Sequence, residues 1–111
     1  MIEPNLDQEV NLLHQRICSG FADPKRILML YALADGPLCV NDIAALLDLP
    51  QSTTSRHLGI LRERGLVLTD RQGTAVFYSV ADERLIQALD LLRKVLASQL
   101  AADAGVAQAL T

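Results

Sequence analysis

The hydrophobic pattern of this chain changes period at Gly65, and that change limits what can lie on either side of it. Before Gly65, apolar residues recur every three or four positions, the spacing of one helical face. After it come Leu66-Val67-Leu68-Thr69 and Ala75-Val76-Phe77-Tyr78-Ser79-Val80, both rich in strand formers and separated by the polar turn Asp70-Arg71-Gln72-Gly73-Thr74. From Asp82 the helical period returns as a stripe through Leu85, Leu89, Leu92 and Leu96, extending toward Leu100, with fraying expected from Ala101. A β-hairpin set between helices is therefore the frame that any fold of this chain must satisfy.

The segment ahead of the hairpin divides into four helices. Val10, Leu13, Ile17 and Phe21 mark one over residues 6–21. Asp23-Pro24 reads as a cap followed by a first-turn proline; it opens a second helix running to Ala34, which Asp35-Gly36-Pro37 closes. Leu38 and Val40 suit a short extended entry. Asn41-Asp42 then supplies a cap and a first-turn acid for a third helix, residues 42–47, expected to bury Ile43, Leu46 and Leu47. Asp48-Leu49-Pro50 is a tight turn, and a fourth helix follows to Arg64, ended by Gly65. Two short helices joined by a few residues make a helix-turn-helix over 42–64, and a hairpin over 66–80 beside it is a wing. The expected class is mainly α with a small β-hairpin, a winged helix-turn-helix in the order α-α-α-α-β-β-α, forming one domain over residues 1–111.

Length and charge narrow the function. A chain of 111 residues, half of them hydrophobic, supports one core, and a small domain this rich in aliphatic residues is a candidate to bury more surface against a second copy. The net charge of −3 argues against a uniformly basic nucleic-acid binder. Its distribution does not. Residues 51–74 carry Arg56, Arg62, Arg64 and Arg71 against Glu63 and Asp70, whereas residues 1–50 carry three cations against seven anions. The start lacks the features of a signal peptide, and no run of about 18 apolar residues occurs, so a cytoplasmic protein with reduced Cys18 and Cys39 and no membrane association is expected. Only two histidines, no glycine-rich phosphate loop and no carboxylate cluster leave nothing resembling a catalytic constellation.

On a wheel of about 100° per residue, Thr54, Leu58 and Leu61 fall on the core side of the fourth helix, and Ser52, Ser55, Arg56 and Gly59 fall opposite. Hydroxyls and an arginine can reach base edges in a major groove, and a glycine permits close approach. Gln51 and Thr53 flank this face, while Arg62 and Arg64 are placed for phosphates. His57 lies at the border, suited to a hydrogen bond within the fold or to a phosphate, and is counted with the DNA-facing set. Arg71 and Gln72 at the wing tip are candidates for the minor groove. The competing reading is a winged-helix module that binds protein.

These pieces together resemble the ArsR/SmtB family of regulators over residues 10–100. The resemblance is carried by Asp23-Pro24-Lys25-Arg26-Ile27-Leu28, by Gln51-Ser52-Thr53-Thr54-Ser55-Arg56-His57-Leu58 with Leu61-Arg62 and Gly65-Leu66-Val67, and by Val76-Phe77-Tyr78-Ser79-Val80. It implies a homodimer packed through its first and last helices, 6–21 and 82–102, that represses at an imperfect palindrome in double-stranded DNA until an inducer arrives. Pro50 departs from the serine common at that position, which implies a shifted cap. The resemblance also implies sites for inducers. Metalloid sensors of the family open the third helix with Cys-x-Cys, and here Cys39 keeps the first cysteine while Asn41 replaces the second. Zinc sensors use Asp and His on the last helix, and no histidine lies between Asp82 and Leu100. A thiophilic metal or metalloid at Cys39, thiol chemistry involving Cys39 and Cys18, and inert cysteines with Cys18 in the core remain open.

Overall fold

Asp23 begins the part of the chain that holds everything else in register. Its carboxylate accepts from the Lys25 N–H at 2.8 Å, capping a helix whose first residue is Pro24. The computed structural model describes the backbone of residues 4–110 and the side chains of residues 5–105; Met1–Glu3 and Thr111, which a 1–111 domain would include, lie outside the described residues. The elements are α1 (Pro4–Arg16), a 3-10 turn (Cys18–Phe21), α2 (Pro24–Ala32), β1 (Leu38–Cys39), α3 (Val40–Leu47), α4 (Gln51–Glu63), β2 (Val67–Gln72), β3 (Ala75–Val80) and α5 (Arg84–Leu110). The helix and hairpin order matches the sequence reading, with a short strand and a 3-10 turn added.

The core is one cluster that draws on four helices and the start of the wing. Met29 and Leu30 of α2, with Leu33 at its C-terminal cap, meet Ile43 of α3, Leu58 and Leu61 of α4, Leu66 and Val67 at the entry to the wing, and Leu89 of α5. Gly65, at φ +75°, turns the chain out of α4 so that Leu66 folds back under the helix it follows. The sheet has the order β1-β3-β2, both pairings antiparallel, with Leu38 opposite Tyr78 and Val67 opposite Val80.

Several local expectations change. The first helix ends at Arg16 instead of continuing to Phe21, because the chain tightens into the 3-10 turn at Cys18–Phe21. Gly20 explains why that turn can sit where it does: a Cβ there would lie 2.3 Å from Leu66 Cδ1, so the backbone is pressed directly onto the core. The third helix starts at Val40, with Cys39 and not Asn41 as its cap residue, because pairing of β1 with β3 fixes the chain just ahead of it. Leu46 is 64 % exposed and Ala44 takes the buried position expected of it. The last helix runs to Leu110, past the fraying expected at Ala101. Asp82 caps it as expected, accepting from the Arg84 N–H at 2.9 Å, and the Arg84 guanidinium beside it holds its carboxyl down to about 2.

Two stretches bury none of their described side chains within the protomer. Every described side chain from Asn5 to Arg16 of α1 is exposed, and so is every one from Leu91 to Gly105 of α5. The inner end of α5 is held by Leu89 and by Tyr31, whose hydroxyl donates to Asp90 Oδ1 at 2.6 Å under the Arg93 guanidinium.

Gly20→Ala is expected to lower stability by about 1–3 kcal/mol, since the added methyl must displace a packed leucine. Chemical denaturation of the two proteins checks this, and an unchanged midpoint contradicts the close approach.

Candidate nucleic-acid interface

Helix α4 has two chemically different flanks because its inner residues follow the i, i+3, i+4, i+7 spacing. Thr54, His57, Leu58 and Leu61 are all buried. Gln51, Ser52, Ser55, Arg56 and Arg62 are exposed, while Thr53, Gly59 and Ile60 are half-buried at the borders. Pro50 occupies the cap position and provides no side-chain hydrogen bond; its carbonyl instead accepts from both the N–H and the hydroxyl of Thr54 at 3.0 Å. The start of α4 is therefore fixed from within, and the amide donors of its first turn are left available to an anion.

The cations of this region differ in what they touch. Among the described residues, no carboxylate pairs with Arg56, Arg62 or Arg71. Arg64, which sequence reasoning placed toward phosphates, donates to the Gln15 carbonyl of α1 and is committed to the fold. The wing occupies the expected stretch but its turn is shorter: β2 continues to Gln72, so Arg71 and Gln72 belong to the strand and only Gly73-Thr74 form the connection. Both remain exposed at the tip, where Gln72 Nε2 donates to Asp70 Oδ2 at 3.1 Å.

His57 leaves the exposed set. It is 2 % exposed, with Nδ1 at 3.1 Å from the Arg26 guanidinium and Nε2 at 3.8 Å from Asp23 Oδ2. An arginine can only donate, so Nδ1 is the acceptor and the ring is neutral with its proton on Nε2. Burial lowers its pKa from the ordinary 6.5, opposed by Asp23 and reinforced by Arg56, Arg26 and Lys25. The signal was present in the sequence, because position 57 completes the stripe that contains Thr54, Leu58 and Leu61.

The cysteines lie on different elements and both are free thiols. Cys18, for which a core position was one of the open readings, is exposed at the start of the 3-10 turn. Cys39 is half-buried at the start of α3, and its Sγ donates to Asp42 Oδ2 at 3.1 Å. A thiol and one carboxylate are fewer donors than the three or four protein ligands of a zinc site, and among the described residues no group of three potential ligands occurs.

Comparison with known proteins places this geometry. A family model described as "Bacterial regulatory protein, arsR family" matches residues 23–69. The HTH-type transcriptional regulator CmtR of Mycobacterium bovis is 42 % identical over 83 residues, covering 74 % of this chain and 70 % of CmtR. The chain belongs to the arsR family. The HTH-type transcriptional regulator NmtR of Mycobacterium tuberculosis is 42 % identical over 71 residues, 64 % of this arsR-family chain and 59 % of NmtR. The match thus spans about three fifths of that relative's length. Among solved structures, the homodimeric winged helix-turn-helix DNA-binding domain Mb0332 of Mycobacterium bovis superposes with a TM-score of 0.76 at 26 % identity, covering 89 % of this chain and 91 % of that one. The winged helix-turn-helix read from the sequence is the fold of this arsR-family member. No described helix is long and apolar enough to cross a membrane.

An unfolded His57 takes up a proton near pH 6.5, and the folded ring resists it. The stability contributed by the neutral ring is therefore complete above that pH and is lost as pH falls below it, by up to about 1.4 kcal/mol per unit. Denaturation series from pH 7.5 to 5 are expected to show this slope in the wild type and to lose it in His57→Asn.

Proposed function

We propose that this chain is a DNA-binding transcriptional repressor, not an enzyme, acting as a homodimer in the cytoplasm, with residues 1–111 forming a single unit. The observation that carries this reading is the outer flank of α4. Gln51, Ser52, Ser55 and Arg56, with the half-buried Thr53 at their border, form a polar surface beside Arg62, which among the described residues pairs with no carboxylate, and the wing tip adds Arg71 and Gln72. Arg56 and the hydroxyls are suited to base edges, Arg62 to the backbone, and Arg71 and Gln72 to the adjacent minor groove.

The dimer follows from the two stretches that lack partners. Leu13 of α1 is 46 % exposed and Leu92 of α5 is 60 % exposed, within the stretches 5–16 and 91–105 whose side chains are all exposed. Between α1 and the start of α5 lies a groove of about 810 Å³ with Leu12, Leu13, Ile17, Phe21, Leu66 and Leu85 in its wall. A second copy offers the same apolar faces, as a two-fold interface requires. The Mb0332 domain, described as homodimeric, supports assembly as two copies. Two reading helices related by such an axis address two half-sites, which is the reason for an imperfect palindrome.

For induction, Cys39 is the better of the two cysteines. It caps α3, the helix that leads into the reading helix, and its thiol is already engaged with Asp42. Chemistry at this thiol, by an oxidant, a reactive sulfur species or a thiophilic ion completed by ligands from outside the protomer, would disturb the first turn of α3.

Arg56→Ala is expected to relax sequence preference at one position of the half-site at a cost of about 1–3 kcal/mol. Arg62→Ala is expected to weaken all duplexes alike and to reduce the slope of log affinity against log salt by about 1. Binding titrations from 50 to 300 mM salt distinguish these outcomes; wild-type protein that binds no duplex, or binds without a salt slope, favours the protein-interaction reading. Treatment with a thiol reagent is expected to release operator DNA from the wild type and not from Cys39→Ser, whereas release that depends on Cys18 instead moves the sensor there.

A further inference from the structure

Arg26 joins three parts of the protomer that the repressor reading requires to move as one. Its Nε donates to the Gly20 carbonyl at 2.9 Å and one terminal nitrogen donates to the Ser19 carbonyl at 3.2 Å, both in the 3-10 turn that ends α1. The other terminal nitrogen donates to His57 Nδ1 at 3.1 Å, in the middle of α4. A second tie lies further along the same helix, where Arg64 donates to the Gln15 carbonyl of α1. Residues 57 and 64 are about 10 Å apart along the helix axis. Two ties at that separation fix an angle, where one would leave a pivot.

We infer that Arg26 and His57 are positioning residues that set the angle of the reading helix against the dimerisation arm, and so set the half-site spacing the dimer accepts. The inference rests on the repressor reading above and adds a residue pair that touches no DNA. The guanidinium suits the task because its planar fork can serve two carbonyls and a ring nitrogen at once, which a lysine ammonium on a flexible stem cannot do with the same geometry. Gly20 belongs to the same device, since only a residue without Cβ lets the turn carrying two of the three acceptors press onto Leu66. Among the described residues no carboxylate forms an ion pair with Arg26: Asp23 accepts from the Lys25 N–H and faces the far side of the imidazole.

The state of the ring decides whether the tie exists. A neutral His57 accepts from Arg26, and a protonated one presents an N–H to a cation and loses the bond. Among the described residues, the charged groups facing His57 are Asp23, Lys25 and Arg26 at the start of α2, and Arg56 on its own helix. Asp23 alone favours the proton, from 3.8 Å. The tie is therefore intact at neutral pH and opens on acidification.

The test uses full-length protein and duplexes selected from a random-sequence pool, with the separation of the half-sites varied by single base pairs and one half-site scrambled as a control. Wild-type protein should show a sharp optimum. Arg26→Met and His57→Leu should lose about ten-fold or more in affinity at that optimum and flatten the spacing profile, with binding to the single half-site and the dimer mass unchanged. His57→Asn, whose carbonyl can accept where Nδ1 did, should restore the profile and remove its flattening on acidification.

Variants that keep the wild-type spacing profile overturn the inference and leave the repressor reading standing. Equal losses on full and half-sites also overturn it, because they place the defect within the reading head. Wild-type protein that binds no duplex removes both. Should the variants fail to fold, nitrogen-15 NMR of the wild-type imidazoles decides: the inference requires His57 to carry its proton on Nε2 at pH 7, and a ring protonated on Nδ1 contradicts it.

Discussion

Leu58 and Leu61 are both fully buried, and their burial leaves α4 one flank to offer to anything outside. The four-residue stripe from Thr54 to Leu61 meets α2, α3 and the residues entering the wing, so the helix cannot roll without opening the core. The outer flank is polar by necessity, since it faces water in the free protein. Its particular chemistry, small hydroxyls and one arginine without a carboxylate partner, is what makes it suitable for a groove lined with donors and acceptors between two rows of phosphates. The same burial fixes the wing, because Leu66 and Val67 join the core immediately before β2 departs.

Charge works on two scales in this molecule. The chain as a whole is acidic, and the acidic residues are concentrated away from α4 and the wing. For the proposed repressor this distribution would weaken non-specific attraction to duplex DNA, favouring release from wrong sites and leaving discrimination to the few groups on the reading flank. The cations that do face outward differ from those that serve the fold. Arg26 and Arg64 are consumed by backbone carbonyls and an imidazole, and Arg84 by Asp82. What the proposed DNA-facing surface retains is thus a small remainder of the basic residues.

Much of this was legible in the sequence where the signal is local. Helical spacing, the Asp23-Pro24 start, Gly65 as a stop and the strand-rich runs on both sides of Gly73 gave the elements and their order, and the stripe on α4 gave the face that is exposed. The missing pieces depend on contacts distant along the chain. Nothing around Leu38-Cys39 announces that these two residues pair with Phe77 and Tyr78. The early end of α1 depends on Gly20 meeting Leu66, and the exposure of Cys18 follows from that turn. The hydrogen bond within the fold that suited His57 is made, but its partner was not legible and the residue was counted with the DNA-facing set, because a histidine is admitted to a core only with a partner and Arg26 lies 31 residues away.

The central claim is that the outer flank of α4 enters the groove of duplex DNA in a dimer held by α1 and α5. Backbone amide shifts of nitrogen-15-labelled protein, recorded with and without a duplex selected from a random-sequence pool, test it residue by residue. The account predicts the largest changes at Gln51, Ser52, Ser55 and Arg56, smaller ones at the wing tip, and none along α1 or the outer half of α5, where the partner already sits. Changes concentrated on α1 and α5, with the reading flank unaffected, would contradict it.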